Sequence, residues 1–398
     1  MSKTKTYGWL RACVALLALA VALPAVAGDV GGQVYSNPGT ITMRLTWGSN
    51  YENSKDVSIS GNGAYSFGVN IRNNTKFRVE SVSAPSGWAC RGKQGNVYLS
   101  NASASDTNIY CGTASSVGGV RIGSWNLEWY DSSDPAAKKQ AIADVINGYH
   151  FDVMEVNEIL DAASIQDLID NYLGNASDWD FRITQAGCSQ HDVILWRKSA
   201  VSLQSGYDLN AADTNGLIDE NGSTWDDCAG RRPYVATFAV NNSALTFTMA
   251  TIHFKAGSSP SDCQLRKDQV DSFVQWADES GVDQGNFIAA GDFNDELVGD
   301  GECKNLDTLT SMESHAGMFF ATAQPGYNYA YMMGNGLVTY DTKSYQSTVD
   351  QFWMSTNLRS RMQPTDTYGD LANAVEANMY FAPWGEPDHD APYISLAK

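Results

Sequence analysis

Positive charge is what this 398-residue chain has least of, with 26 Lys and Arg against 45 Asp and Glu and a formal net charge of -19. A scaffold that grips nucleic acid through a broad basic face is excluded. Local capture of a phosphodiester by a divalent cation and a few Arg or Lys is not. The chain also lacks a GxGxxG or GxxxxGK[ST] loop, which excludes the common nucleotide cradles, and it has no CxxC pair of the kind that builds zinc ribbons. Beyond residue 28 no apolar run approaches the length of a membrane span. Disorder is excluded by the opposite kind of shortage: only 18% of residues are charged, while 43% are hydrophobic and 11 Trp, 19 Tyr and 14 Phe supply a large core.

The one long apolar run lies at the start. Residues 1–27 carry Lys3, Lys5 and Arg11, then the apolar stretch Val14–Leu23, then Pro24-Ala25-Val26-Ala27 with small residues at -3 and -1. This predicts a signal peptide cleaved before Gly28 and export to the periplasm or the medium. A retained anchor is the alternative, and Cys13, lying before the apolar core, argues against a lipoprotein. Removal of the leader leaves 371 residues, more than one hydrophobic core normally serves, and deepens the net charge to -22. Two domains are expected.

Six cysteines then remain: Cys90, Cys111, Cys188, Cys228, Cys263 and Cys303. An even number in an exported chain reads as three disulfides, with 15 pairings open. Pairing neighbours (Cys90 with Cys111, Cys188 with Cys228, Cys263 with Cys303) keeps each bridge inside one domain.

Residues 28–115 alternate apolar and polar positions in short runs, TITMRLTW (40–47), AYSFGVNI (64–71) and KFRVESVS (76–83), separated by Asn, Gly and Ser. Such runs predict a small all-β sandwich. The stretch from Ser60 to Cys90, with its PSGWAC turn, resembles a β-sandwich repeat of bacterial exported proteins in which that Cys pairs with a later one. The resemblance implies a Cys90–Cys111 bridge and names no ligand. A small, polar linker follows at 116–119.

From residue 120 the texture changes. VRIGSWNLEW (120–129), FDVMEV (151–156), DVILWR (192–197), YVATFAV (234–240), ALTFTMATI (244–252) and NFIAAGDF (286–293) read as strands. DPAAKKQAIADVINGY (134–149), SIQDLIDNYL (164–173) and DCQLRKDQVDSFVQWADES (262–280) read as helices. The mixture predicts layered α/β architecture. Polar residues stand directly after apolar strands: Asn126 and Glu128, Asn157 and Glu158, His253, Asp292 and Asn294, with Asp350 in TVDQFWM and Asp388-His389 near the C-terminus. Singly each reads as a turn former or helix cap. Strand ends converge at one edge of a layered sheet, so together they predict one cleft.

Those residues sit in SWNLEW (124–129), NE (157–158), TIHFK (251–255), GDFND (291–295), TVDQFW (348–353) and PDHDAP (387–392). In this order they resemble the signposts of the endonuclease/exonuclease/phosphatase family. The resemblance implies a four-layer α/β/β/α sandwich, deoxyribonuclease I-like, over 120–398, and a metal-dependent phosphodiesterase. It implies Glu158 as principal metal ligand with Glu128 and Asp388 near the ion, and Asn126 and Arg232 at the substrate phosphate. Asp350 would orient His389, His253 would be the second imidazole, and Asp292 and Asn294 would position water and a phosphate oxygen. The implied ion is Mg²⁺, with Mn²⁺ as the alternative. The chain departs from the family pattern at Asn157, Gln351 and Pro387, where Gln, His and Ser are common.

The remaining candidates have bland readings. His150 and His315 read as structural and His191 is left open. Asp213, Asn215 and Asp219 in the acidic insert 208–227 offer a structural Ca²⁺ site, against a solvated loop tied by Cys228. The aromatics of YNYAYMM (327–333) read as core. Taken together, the sequence predicts an exported, monomeric endonuclease on extracellular DNA or RNA. The same chemistry on a phospholipid or inositol headgroup is the alternative, and an inactive surface binding protein is the rival from another class.

Overall fold

The protein is described by a computed structural model covering residues 27–35, 37, 39–48, 53–72, 76–85, 88–91, 97–98, 109–113, 119–185, 189–209, 225, 231–297, 303, 306–323, 339–341, 346–363, 372–375 and 388–398. The leader up to Val26, most of the linker, the Cys188 and Cys228 pair, the Ca²⁺ candidates Asp213, Asn215 and Asp219, the YNYAYMM segment and Pro387 lie outside the described residues.

The N-terminal segment forms two four-stranded sheets. Strand Thr40–Trp47 alternates inward Ile41, Met43 and Leu45 with more exposed neighbours, the period of a half-buried strand. These residues meet Val30, Val34, Phe67, Phe77 and Val79 in one core between the sheets. Cys90 and Cys111 face each other across the ladder and form a disulfide. The described part of this segment is therefore all-β.

The larger part is a four-layer α/β/β/α sandwich. One sheet has seven strands, with Gly119–Tyr130 and Val153–Ile159 parallel at its centre and Ala391–Ala397 antiparallel beside them. The other has six, with Thr246–His253 and Phe287–Asp292 parallel and Asp350–Ser355 antiparallel. Between the sheets lie Val120, Ile122, Val153, Ile194, Phe238, Phe247, Met249, Ile288, Phe352 and Met354. The outer face of the first sheet, through Trp125, Met154 and Val156, packs on helices Ala136–Gly148 and Ala162–Asn171. The outer face of the second, through Ala250, Ile252, Phe287 and Ala289, packs on helix Pro260–Ser280. Alternate residues of each strand thus serve two different cores, which is why these strands read as continuous apolar runs.

Helix boundaries differ from the sequence reading for local reasons. Asp161 caps its helix by accepting from the Ser164 amide, moving the start to Ala162. Ser259 does the same for the Asp262 amide ahead of Pro260, and Gly281, at φ 70°, ends that helix. The strand expected at 151–156 runs as Val153–Ile159 and so includes Asn157 and Glu158. Cys263, on the long helix, is bridged to Cys303.

Gly291 is the tightest backbone position. It has φ 144°, and a Cβ there would lie 1.8 Å from the Ile252 carbonyl oxygen. Only glycine lets this strand close on Thr246–His253 and bring Asp292 into register with His253. Gly291→Ala is expected to destabilise the protein by about 3 kcal/mol or more, read as a lower urea midpoint at unchanged slope. A midpoint equal to wild type would refute this account of the register.

Candidate active site

The inner faces of both sheets change character toward one edge, at the two-residue period of a strand. In the first sheet the inward positions run Val153, Glu155, Asn157 and Ile122, Ser124, Asn126. In the second they run Met249, Thr251, His253 and Ile288, Ala290, Asp292, with Asp350 beside them on the antiparallel neighbour. The inter-sheet core is thus apolar along most of its length and polar at one end. The site is the open rim of that polar end.

A cleft of about 360 Å³ opens there, lined by Glu128, Trp129, Glu158, His253, Ala256, Gly257, Ser258, Asp292, Asn294, Tyr340, Val349, Asp388 and His389. The structure therefore brings together Glu128, Glu158, His253, Asp292, Asn294, Asp388 and His389 from the predicted set. Asn126 lies directly behind them: its amide nitrogen donates to Glu158 Oε1 at 3.3 Å and to Asp292 Oδ2 at 3.2 Å, and its oxygen accepts from the Glu128 amide at 3.0 Å. Glu128, Trp129, Glu158 and Asn294 all have φ between 47° and 61°. Backbone held in this left-handed region by non-glycine residues concentrates where side chains must be aimed.

The two imidazoles are held differently. His389 Nδ1 lies 2.8 Å from Asp350 Oδ2, while Nε2 lies 3.8 Å from both Asp292 Oδ2 and Asp388 Oδ1. Burial works against a charged His389, but the Asp350 charge and hydrogen bond, with Asp292 and Asp388 beyond, outweigh it and hold the imidazole well above its ordinary range. Thr339 Oγ1 receives the Asp350 amide, the Trp125 indole donates to the His389 carbonyl, and the Tyr340 ring meets the His389 ring edge-on at 5.0 Å. His253 is pushed the other way. Burial, with the positive charge of Arg231, lowers it well below the usual histidine range, and its Nε2 stands 3.7 Å from Glu158 Oε1 and 3.8 Å from Asp292 Oδ2.

Of the two arginines in GRRPY, Arg231 supplies the charge felt by Glu158, Asp192 and His253. Its guanidinium donates to Gln190 Oε1. Arg232, the one expected at the phosphate, is buried, and its charge acts on the Asp208 carboxylate. His191 is half-buried, its Nδ1 2.9 Å from the Thr184 carbonyl, and His150 is an exposed turn residue after a helix. His315 pairs with Asp278 on the far side of the second sheet.

The layer beneath joins Asn157, already noted at its strand end, to Ser124, Glu155 and Asp192, which the sequence reading missed. Asn157 donates to Glu155 Oε1, to Asp192 Oδ1 at 2.9 Å and to the Ile252 carbonyl at 3.2 Å, and its oxygen accepts from the Asp292 amide at 3.1 Å. Ser124 donates to Glu155, and Asp192 Oδ1 stands 3.7 Å from His253 Nδ1. Burial raises Glu155 well above the carboxylate range. The signal that was available is a carboxylate in the interior of an apolar strand, but its burial follows only from the face-to-face pairing of two sheets.

The donor set at the rim fits a hard divalent cation. Glu128, Glu158, Asp292 and Asp388 offer oxygen atoms only, and burial pushes Glu158 up, a cost that a bound cation reverses. These groups are not gathered into a tight protein cage. Among the described residues, the three-residue His/Cys/Asp/Glu group with ligand atoms all within 4.8 Å lies elsewhere. Mg²⁺ characteristically takes one or two carboxylates and keeps waters, which suits this looser arrangement.

No protein-family model matches the chain, and no curated protein matches it. Solved structures do. A D. rerio TDP2 humanized by 14 mutations is similar with a TM-score of 0.51 and 17% identity, over 70% of this chain and 99% of that one. D. rerio TDP2 complexed with a single-strand DNA product is similar with a TM-score of 0.51 and 18% identity over the same shares. An endonuclease/exonuclease/phosphatase family protein from Bacteroides thetaiotaomicron gives 0.48 and 16%, over 70% and 97%. What this chain shares with the two TDP2 structures is the fold, the deoxyribonuclease I-like sandwich.

Asp192 offers a test of the layer beneath the cleft. Burial pushes its carboxyl up from 3.8 to about 6, opposed by the Asn157 hydrogen bond and Arg231. The folded protein therefore binds a proton that the unfolded chain releases: the resulting stabilisation is complete below about pH 4 and is lost as pH rises through about 6. Its size is roughly 3 kcal/mol, two pKa units at 1.36 each. Asp192→Asn is expected to flatten this part of the urea-unfolding profile between pH 4 and 7.5. An unchanged slope would refute the assignment.

Proposed function

We propose that this protein is an exported, divalent-metal-dependent phosphodiesterase, and that its substrate is extracellular DNA or RNA, cut internally without sequence preference. The observation that carries the reading is the convergence of Glu158, His253, Asp292, Asn294, Asp388 and the Asp350-held His389 on one cleft. Two disulfides suit an oxidising compartment, and no described helix is long and apolar enough to cross a membrane. The DNA product bound to D. rerio TDP2 supports a nucleic-acid substrate on this fold.

The chemistry follows from the two imidazoles. Displacement at phosphorus builds negative charge on the nonbridging and leaving oxygens, so the site needs a donor for each and an acceptor for the proton of the attacking water. Protonated His389, with Nδ1 committed to Asp350, presents Nε2 to the cleft and donates to the developing oxyanion. His253, held uncharged, offers its Nε2 as a second hydrogen-bonding nitrogen beside Glu158 and Asp292. Asp292, within 3.8 Å of both rings, is the carboxylate placed to orient and deprotonate water. Asn294 is fixed beside it through its amide on Asp292 Oδ1 and its side chain on the Phe254 carbonyl. Glu158, with Glu128 and Asp388, would hold Mg²⁺, which supplies Lewis-acid stabilisation of the phosphoryl oxygens when bound.

Protein beginning at Gly28 is expected to nick supercoiled plasmid with Mg²⁺ and to stop with chelator. Glu158→Ala is expected to abolish metal-dependent turnover, and His389→Ala to lower kcat by about two decades or more with folding intact. Wild-type rates in either variant would sink the site assignment. Turnover of sphingomyelin or phosphoinositides without nicking would move the substrate to a phospholipid headgroup, and no turnover on any phosphodiester would leave a binding protein.

A further inference from the structure

On the outer face of the second sheet, Asp278, Asp283 and His315 each place one ligand atom within 4.8 Å of the other two. They come from three pieces of chain: the last turn of helix Pro260–Ser280, the 3-10 turn Val282–Gln284, and the loop after the short helix Thr310–Glu313. Asp283 precedes the start of strand Phe287–Asp292, whose other end carries Asp292, so the group lies a full strand, roughly 17 Å, from the cleft at about 3.3 Å per residue.

Two features of this cluster are unexplained by the protein alone. Asp283 is 4% exposed, yet its Oδ1 has no hydrogen-bond partner, and the buried Nδ1 of His315 has none either. A buried carboxylate oxygen and a buried imidazole nitrogen left unpaired are costly. The long helix also ends on Asp278 and Glu279 with no basic residue in its last turn, so acidic charge faces the negative end of the helix dipole. A cation among the three side chains would give the buried Asp283 carboxylate, whose Oδ2 takes only the Gln284 amide, a full set of partners, would oppose the acidic helix end, and would engage a ring nitrogen of His315 in place of its present Nε2 bond to Asp278. The ligand chemistry, one imidazole and two carboxylates, suits a borderline divalent transition ion better than Mg²⁺.

We infer that Asp278, Asp283 and His315 form a structural site for a Zn²⁺-class divalent ion, separate from the catalytic cleft, which clips the end of the long helix to the strand that carries Asp292. Metal-stripped protein is titrated with Zn²⁺, with bound equivalents counted by elemental analysis after gel filtration and Tm recorded in parallel. Wild type is expected to retain one equivalent more than His315→Gln and to show a Zn²⁺-dependent rise in Tm that the variant lacks, with affinity at this site reduced about 100-fold or more. Because His315 packs edge-on against Trp353, Asp278→Ala serves as the second variant, at a side chain 57% exposed. Equal zinc content and equal Tm shifts in wild type and in the folded variant would overturn the site. Plasmid nicking plays no part in the readout, so failure of the phosphodiesterase reading and failure of this one are told apart.

Discussion

Everything at the cleft depends on how two sheets are joined at their polar end, and that joint is Asn157. One side chain spans the gap, donating to Glu155 and Asp192 on its own sheet and to the Ile252 carbonyl on the facing one, while accepting from the Asp292 amide. A buried amide can satisfy several partners at once because it carries two donors and an acceptor. Apolar packing brings the sheets together but has no direction. The Asn157 bonds fix their relative position where it matters, to within hydrogen-bond tolerance.

The same logic explains why the site grows out of the core without a separate framework. A strand offers every second residue to the inter-sheet space, so replacing two successive inward positions by polar residues, as in Val153, Glu155, Asn157, converts packing surface into site without disturbing the outward residues that bind the helices. The cost is burial of ionisable groups. The structure meets it by pairing: His389 with Asp350, Glu158 and Asp292 through Asn126, and Arg266 with Asp295 beneath the loop that follows His253. Arg266, fully buried on the long helix, also donates to the Lys255 and Gly257 carbonyls and so holds the cleft wall at Ala256 and Gly257.

Much of this was legible in the sequence because each cleft residue directly follows or opens an apolar run, and because a strand edge is where such ends meet. His253, Asp292 and Asp388-His389 could be expected together from their places beside apolar runs and from the resemblance their motifs carry. The buried layer was not legible. Glu155 and Asp192 look like ordinary interruptions in FDVMEV and DVILWR, and what buries them is a pairing between strands separated by 59 residues in the case of Thr251 and Asp192. Which charges Arg231 and Arg232 each act on was likewise beyond reading, since adjacent residues in a non-helical segment point in directions that only the surrounding fold decides.

The opposed shifts of the two histidines carry the functional argument furthest. Both rings are buried, so burial alone would make both neutral. His389 escapes because Asp350 is hydrogen-bonded to it at 2.8 Å, whereas the nearest carboxylate to His253 Nδ1, Asp192, stands 3.7 Å away and is itself engaged by Asn157 and Thr251. A bonded carboxylate at one ring, against burial and the Arg231 charge at the other, thus favours the charged form of His389 and the neutral form of His253 on either side of Asp292. Environments that drive like groups apart in this way let two imidazoles of one cleft favour different protonation states at the same pH.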